Sequence, residues 1–128
     1  ANIVLTFEML NSYDHGGYEA DNSRYGFDLA EQLDSPHLKV LLDLYHMQRM
    51  GEDPAALIRD NVRHIAHLHV AGSPRRDFPG RDQETDYTEC LKLAKATGYD
   101  GLWGMEFIPG ADRMRELADA VTHFRSMA

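Results

Sequence analysis

The chain has 128 residues, 43% hydrophobic and 27% charged, a composition typical of a single domain spanning residues 1–128. Its formal net charge of -8 argues against a nucleic-acid surface, because phosphate contacts require clustered Lys and Arg. One cysteine, Cys90, excludes an intrachain disulfide and favours a reducing cytoplasm. No apolar run approaches the roughly 20 residues of a membrane span. We therefore expect neither a nucleic-acid nor a membrane partner.

Strand-like and helix-like segments alternate along the chain. Apolar runs predict the strands, and helical spacing with Asp-Pro, Asp or Gly at the ends predicts the helices. This order predicts an α/β fold of four β-α units with a parallel sheet, whose apolar strands are covered on both faces. In chain order the predicted elements are a strand at Ile3–Phe7, a helix from Ser23 to Ser35-Pro36, a strand at Leu38–Leu42, a helix from Asp53 through Val62, a strand at Ile65–Val70, a helix from Asp86 to Gly98, a strand at Leu102–Phe107 and a helix from Asp112 through Phe124.

Each predicted strand ends in a side chain that can bind a metal ion. These side chains are Glu8, Asp43, His69 and Glu106. The carboxyl ends of parallel strands share one rim, so we expect the four to meet. Three carboxylates and an imidazole repel one another unless a cation binds, and this oxygen-rich set fits Mn²⁺, Mg²⁺ or Co²⁺, with Zn²⁺ as an alternative.

Each of these residues also has an ordinary structural explanation. A lone Asp at a strand end is commonly a turn or helix cap, and a lone His is commonly a hydrogen-bonded, half-buried residue. The metal interpretation depends on finding all four together. Alternation along the strands supports it, because the layer beneath has two polar side chains and a glycine: Thr6, Leu41, His67 and Gly104.

Four motifs carry a resemblance to a known family. They are FEMLN at 7–11, LLDLYH at 41–46, HIAHLHVAGSPRRDFPG at 64–80 and GYDGLWGMEFIP at 98–109. They resemble the C-terminal half of the xylose-isomerase-like TIM-barrel superfamily, with hydroxypyruvate isomerases and 2-keto-sugar 3-epimerases as the most similar subgroups. The resemblance implies half of a (β/α)8 barrel, strands 5 to 8.

The resemblance also implies residue roles. Matched by position, Glu8, Asp43, His69 and Glu106 hold one divalent metal ion, and the two glutamates form the acid/base pair. His46 contacts the substrate, as does one of Arg75 and Arg76. This chain departs from the family pattern at two places. Hydroxypyruvate isomerases usually carry Gln where this chain has His69, whereas the epimerases carry His, which leaves the subgroup open. The loop FPGRDQETDY is longer than its family counterpart, which leaves the choice of arginine open.

The implied reaction is the isomerisation of an α-hydroxy carbonyl compound, of the hydroxypyruvate and tartronate semialdehyde type, through an enediolate. A 2-keto-sugar 3-epimerase is the alternative in the same chemistry. Apurinic endonucleases of the superfamily are a further class, disfavoured by the acidic charge and the single histidine in the ligand set. A third possible class is a non-catalytic half-barrel that retains the ligand residues without using them in catalysis.

Half a barrel leaves two apolar edge strands, which folded proteins avoid exposing. A whole TIM barrel takes about 250 residues, and this chain begins at Ala1 without a Met, directly before a strand. We therefore expect a chain that has lost a segment upstream or whose initiator Met was removed, and we favour a fragment of a whole enzyme. A missing N-terminal half or a second copy, in a homo-oligomer, would then cover the edges.

Overall fold

The computed structural model describes residues 3–80 and 83–127, and its strands form one parallel sheet with helices between them. The strands are β1 (Leu5–Glu8), β2 (Leu38–Asp43), β3 (Ile65–Val70) and β4 (Leu102–Met105). The helices are α1 (Ser23–Leu33), α2 (Leu44–Arg49), α3 (Pro54–Asn61), α4 (Tyr87–Thr97) and α5 (Arg113–Met127), with a 3₁₀ turn at Val62–His64. The strand order is β1-β2-β3-β4, and all neighbours are parallel. This architecture confirms the predicted α/β fold class.

Local side chains fix where the helices begin and end. Asn22, Asp53 and Asp86 each accept a hydrogen bond from a backbone N–H in the first turn of α1, α3 and α4, as N-cap residues do. Gly98 ends α4 with φ of 81°, a left-handed conformation that glycine adopts without steric cost. The caps predicted at Asp53, Asp86 and Gly98 are confirmed.

One helix is absent from the sequence prediction. The pattern predicts no helix over residues 44–49, yet Leu44–Arg49 form α2 directly after β2. Asp43 is the reason, because its Oδ1 accepts the backbone N–H of Tyr45 at 2.9 Å and caps the helix. The same residue therefore ends a strand, caps a helix through Oδ1 and places Oδ2 at the sheet rim, where it contacts Arg76.

The helices cover only one face of the sheet. Val40, Leu42, Leu68 and Val70 point to that face and are fully buried in the core. On the opposite face, Leu41 is only half-buried. The prediction that the strands are covered on both faces is wrong for this chain, because helices lie on one face of a half-barrel wall. None of the described helices is long and apolar enough to cross a membrane.

Both outer strands present apolar side chains to solvent. Leu5 on β1 is 65% exposed, and Leu102 on β4 is 74% exposed. Ile3 and Ile108, beside these strands, are also exposed. These edges match the sequence expectation for half of a barrel and are the surface that a further strand would cover.

Candidate active site

The structure brings the four predicted strand-end residues into one cluster. One ligand atom from each of Glu8, Asp43, His69 and Glu106 lies within 4.8 Å of every other. The strand register produces this, since Glu8 pairs with Leu41 and Asp43 pairs with His69 across parallel neighbours. Side chains of paired residues and of residues two apart share one face, so all four point to the same side. Their role as metal ligands stays a prediction.

The imidazole of His69 is the centre of the cluster. Its Nδ1 lies 3.0 Å from Oε2 of Glu106 and 3.7 Å from Oε1 of Glu8. Gly104 makes room for it, because a Cβ at that position would lie 2.7 Å from His69 Cδ2 and 2.8 Å from His67 Nε2. Position 104 lies in the predicted layer beneath the cluster. It requires glycine, because the rings of His69 and His67 leave no room for a Cβ.

Burial and charge shift the pKa values of these groups in different directions. Burial raises the pKa of Asp43 to about 6, and the charge of Glu8 adds to the effect while Arg76 opposes it. Burial also acts to raise the pKa of Glu8, but His69, His46 and Arg76 outweigh it and lower that pKa. The Glu8 carboxylate, against the opposing effect of burial, raises the pKa of His69. The cluster therefore holds negative charge that its own cations compensate only in part.

Arg76 reaches the cluster. Its Nη2 donates to Oε2 of Glu106 at 2.7 Å and to Oδ2 of Asp43 at 3.3 Å. Its guanidinium also lies over the ring of Tyr45, 5.1 Å from the centroid. The backbone of Arg76 has φ of 56°, a left-handed conformation that costs a non-glycine residue roughly 1–2 kcal/mol. Such strained positions cluster at functional sites.

Arg75 does not reach the cluster, and its assignment as a possible substrate contact stays a prediction. Its guanidinium pairs with Asp77, with Nη2 2.6 Å from Oδ2, and the side chain is 78% exposed. The left-handed backbone at Arg76 gives the physical reason, because it places the two neighbouring side chains in different directions. Of these two arginines, Arg76 is the one that lies at the cluster.

His46 lies beside the cluster but is fully buried, because α2 carries it under the rim. Its Nε2 lies 3.6 Å from Oδ2 of Asp43 and 3.2 Å from Nη1 of Arg76. Burial, followed by the charge of Arg76, lowers the pKa of His46 to about 4. The ring is therefore neutral at pH 7. Its expected contact with substrate stays a prediction.

Sequence reasoning missed the residues that hold His46. Asn11 is fully buried and contacts Nδ1 of His46, and Tyr45 donates its O–H to Asp14 at 2.7 Å. Asn11 belongs to the FEMLN stretch, where a polar residue following an apolar pair was the available signal. Its contact with a residue in the next strand-helix unit is visible only in three dimensions.

The donor set fits a divalent metal ion. Three carboxylates and one imidazole form the oxygen-rich coordination that Mn²⁺, Mg²⁺ and Co²⁺ prefer, and Zn²⁺ accepts the same ligand types. Oε1 of Glu8 is buried and has no hydrogen-bond partner within residues 3–80 and 83–127. A buried carboxylate oxygen without a donor costs free energy that a cation would relieve.

Comparisons with known proteins agree with this fold. A family model described as xylose isomerase-like TIM barrel matches residues 1–127. The chain belongs to this family. Hydroxypyruvate isomerase of Escherichia coli (strain K12) is 31% identical over 108 residues, 84% of this chain and 42% of that protein. D-psicose 3-epimerase of Enterocloster bolteae is 30% identical over 105 residues, 82% of this chain and 34% of that protein.

A solved structure has a similar fold. The one described as AP endonuclease, family 2, from Brucella melitensis is 28% identical and has a TM-score of 0.84, covering 94% of this chain and 46% of that one. This chain thus spans less than half the length of the relatives it matches. Its four β-α units correspond to about half of a TIM barrel.

Proposed function

We propose that this chain supplies the metal-binding half of an isomerase that interconverts α-hydroxy carbonyl compounds of the hydroxypyruvate and tartronate semialdehyde type. The observation that carries the proposal is the cluster of Glu8, Asp43, His69 and Glu106 within 4.8 Å. Arg76 beside this cluster supplies a cation that can bind an anionic substrate. In this proposal residues 1–128 are one domain, equivalent to strands 5 to 8 of a (β/α)8 barrel.

The four clustered side chains would hold one divalent metal ion, Mn²⁺, Mg²⁺ or Co²⁺, with Zn²⁺ as an alternative. When bound, the ion acts as a Lewis acid that stabilises negative charge on the substrate oxygens. The unpartnered, buried Oε1 of Glu8 supports the assignment, since a cation would relieve the cost of burying a carboxylate oxygen without a donor.

Glu8 and Glu106 are the acid/base pair in this proposal. They come from the two outer strands, so they approach the site from opposite edges of the sheet, on the same face. The lowered pKa of Glu8 means that its carboxylate is ionised at neutral pH and ready to accept the proton next to the substrate carbonyl. That proton, or one from Glu106, then returns to the adjacent carbon of the enediolate.

Arg76 and His46 orient the substrate in the same proposal. A planar guanidinium can bind a carboxylate by two parallel hydrogen bonds. The nitrogens of Arg76 contact Glu106, His46 and Asp43 in this structure, so in the proposal a substrate carboxylate replaces some of these contacts. Nε2 of His46 lies on the side of its ring toward Arg76 and Asp43.

A complementary half-barrel is also part of the proposal. The exposed apolar edges at β1 and β4 and the greater length of the relatives support it. Such a half, from a preceding segment or from a second copy of this chain, would cover the inner face of the sheet. It would also enclose the substrate over the cluster.

A 2-keto-sugar 3-epimerase is the second candidate. His69 favours it, because the epimerase subgroup carries His at this position, and the relative from Enterocloster bolteae is named a D-psicose 3-epimerase. Both reactions use the same metal and acid/base pair, so substrate alone separates them. An endonuclease is less well supported, since the cluster contains one histidine and the chain is acidic.

The test is turnover with Mn²⁺ on hydroxypyruvate and on a 2-keto-hexose, measured as solvent deuterium exchange by NMR. The protein is assayed alone and with a complementary half-barrel. We expect exchange on hydroxypyruvate that Glu106→Gln abolishes and the exposed control Glu89→Gln retains. Exchange on the keto-hexose alone would favour the epimerase. No Mn²⁺-dependent thermal shift, and no exchange on either compound, would leave the non-catalytic half-barrel as the better account.

A further inference from the structure

Tyr45 on α2 contacts both of the loops that follow β1 and β3. Its hydroxyl donates to Oδ2 of Asp14, in the loop after β1, at 2.7 Å. The guanidinium of Arg76, in the loop after β3, lies over the Tyr45 ring at 5.1 Å from the centroid. One aromatic side chain therefore connects the arginine of the cluster to a loop from another β-α unit.

The Tyr45 ring is held at both of its ends. Its backbone N–H donates to Oδ1 of Asp43 at 2.9 Å, and its hydroxyl is bonded to Asp14. Asp14 is held in turn by Asn11, which accepts the Asp14 backbone N–H at 2.9 Å and donates to Oδ2 at 2.9 Å. Only 2% of Tyr45 is exposed. A buried ring with a bonded hydroxyl presents a fixed face to Arg76.

The other contacts of the Arg76 guanidinium are polar groups of the site. Nη2 donates to side-chain oxygens of Glu106 and Asp43. Nη1 lies 3.2 Å from Nε2 of His46, and Nε donates to the carbonyl of Glu106 at 3.3 Å. In the proposed function a metal ion binds the same two carboxylates, and a substrate carboxylate binds guanidinium nitrogens.

The ring face is the contact of Arg76 for which neither ligand competes. The face of a phenol ring carries partial negative charge, which attracts a guanidinium and repels a carboxylate. A metal ion bound by the carboxylates has no reason to displace the ring. The polar contacts of Arg76 therefore change when ligands bind, whereas its contact with Tyr45 does not have to.

We propose that Tyr45 is a positioning residue, whose ring face keeps the Arg76 guanidinium at the cluster when metal and substrate take over its polar contacts. The role toward metal and substrate rests on the proposed function, whereas the stacking itself does not. The chain also offers a matched control. Arg49 lies over Tyr13 at a similar distance, 5.0 Å from the centroid, but Tyr13 is 71% exposed.

The direct test is the ¹H–¹⁵N signal of the Arg76 Nε–H group, assigned by its loss in Arg76→Lys. Protons above an aromatic face are shifted upfield, so we expect an upfield Arg76 signal in the wild type, retained with saturating Mg²⁺ and hydroxypyruvate. Tyr45→Phe keeps the ring and should keep the shift, whereas Tyr45→Leu should lose it. Tyr13→Leu should leave the Arg76 signal unchanged. An Arg76 signal without the upfield shift in the wild-type protein would overturn the proposal, whatever the variants do.

Kinetics supply the second reading, under the turnover conditions given above. Loss of a contact made equally in the ground state and the transition state raises KM and leaves kcat unchanged. We expect Tyr45→Leu to raise KM for hydroxypyruvate about 3- to 30-fold, the range of a cation–π contact, with Tyr45→Phe and Tyr13→Leu close to wild type. A lost upfield shift with unchanged KM would overturn the role in positioning. If the wild type has the shifted signal but turns over no hydroxypyruvate, the proposed function fails and the placement of Arg76 by Tyr45 stands.

Discussion

The centre and the edges of the sheet contribute to the same site in different ways. Asp43 and His69 come from the central strands β2 and β3, and their side chains are 0% and 18% exposed. Glu8 and Glu106 come from the outer strands β1 and β4, and their side chains are 31% and 50% exposed. Neighbouring strands on both sides hold the central pair, whereas each glutamate has a neighbour on one side only.

This difference separates two tasks that one site must perform. Asp43 and Arg76 form a largely buried ion pair within this chain, and His69 lies in the same cluster as Asp43. The glutamates, which carry the proposed proton transfer, lie where a complementary half-barrel would pack. Metal binding is therefore expected of this chain alone, whereas efficient turnover is expected to depend on closure of the edges.

The largest contrast is expected in the core. Leu42 on β2 is fully buried, whereas Leu102 on β4 is 74% exposed. Because truncation of a buried leucine leaves a cavity, Leu42→Ala should lower the free energy of unfolding by about 2–5 kcal/mol. Leu102→Ala should change it by about 0.5 kcal/mol or less. Urea denaturation measures both, and equal losses would mean that β4 is not an open edge.

A pH effect of similar size is expected from Asp43. Its pKa is about 6 in the folded protein, above its ordinary value, so the folded state binds this proton more tightly than the unfolded state. Stability from this group is fully present below pH 4 and is lost as pH rises through about 6. The loss is about 3 kcal/mol for the metal-free protein.

Asp43→Asn removes that loss while keeping the helix cap. Chemical denaturation in the presence of a chelator, between pH 4 and pH 8, compares the variant with the wild type. The wild type should lose stability across this range relative to Asp43→Asn. Parallel pH profiles for the two proteins would show that Asp43 is not a strained, buried carboxylate.

A smaller loss of stability is expected from Gly104→Ala. Gly104 lies on the outer strand β4, but it packs against the histidines of the central strand β3. The Cβ of Gly104→Ala would press on His67 and His69, and overpacking of this kind costs roughly 1–3 kcal/mol. Affinity for Mn²⁺ should fall with it, because His69 must move. Gly16→Ala serves as a control outside the cluster, because a Cβ there would meet nothing within 4 Å. Unchanged metal affinity in Gly104→Ala would show that His69 is free to shift.

The smallest change in stability is expected from a charge on the open edge. Leu102→Lys should leave the free energy of unfolding within about 0.5 kcal/mol but reduce association through β4, since lysine discourages strand pairing at an edge. Light scattering coupled to size exclusion measures the association state. If the wild type is already a stable monomer with a cooperative melt, the exposed edges need no partner.

The sequence predicted the strand-end residues because two simple rules fix them. Parallel strands bring their carboxyl ends to one rim, and alternation along a strand fixes the face, so Glu8, Asp43, His69 and Glu106 had to converge if the strands were real. The sequence could not predict which of Arg75 and Arg76 lies at the cluster, because this depends on one left-handed backbone conformation in a loop.

The burial of His46 escaped sequence reasoning for a related reason. It depends on α2, which starts only because Asp43 caps it, and spacing alone suggests a residue above the rim. The role of Asn11 depends on a long loop returning to α2, a contact between residues 35 positions apart. Local patterns predict elements and their ends, whereas contacts between loops depend on how the whole chain packs.

Titration of the protein with Mn²⁺, followed by electron paramagnetic resonance, tests the central claim most directly. The account predicts one tight site per chain at neutral pH, lost in Asp43→Asn. The exposed control Asp60→Asn changes the same chemical group on the surface, at the end of α3, and should retain the site. Equal binding by Asp43→Asn and the wild type, or no tight site in either, would contradict a metal centre at the four strand ends.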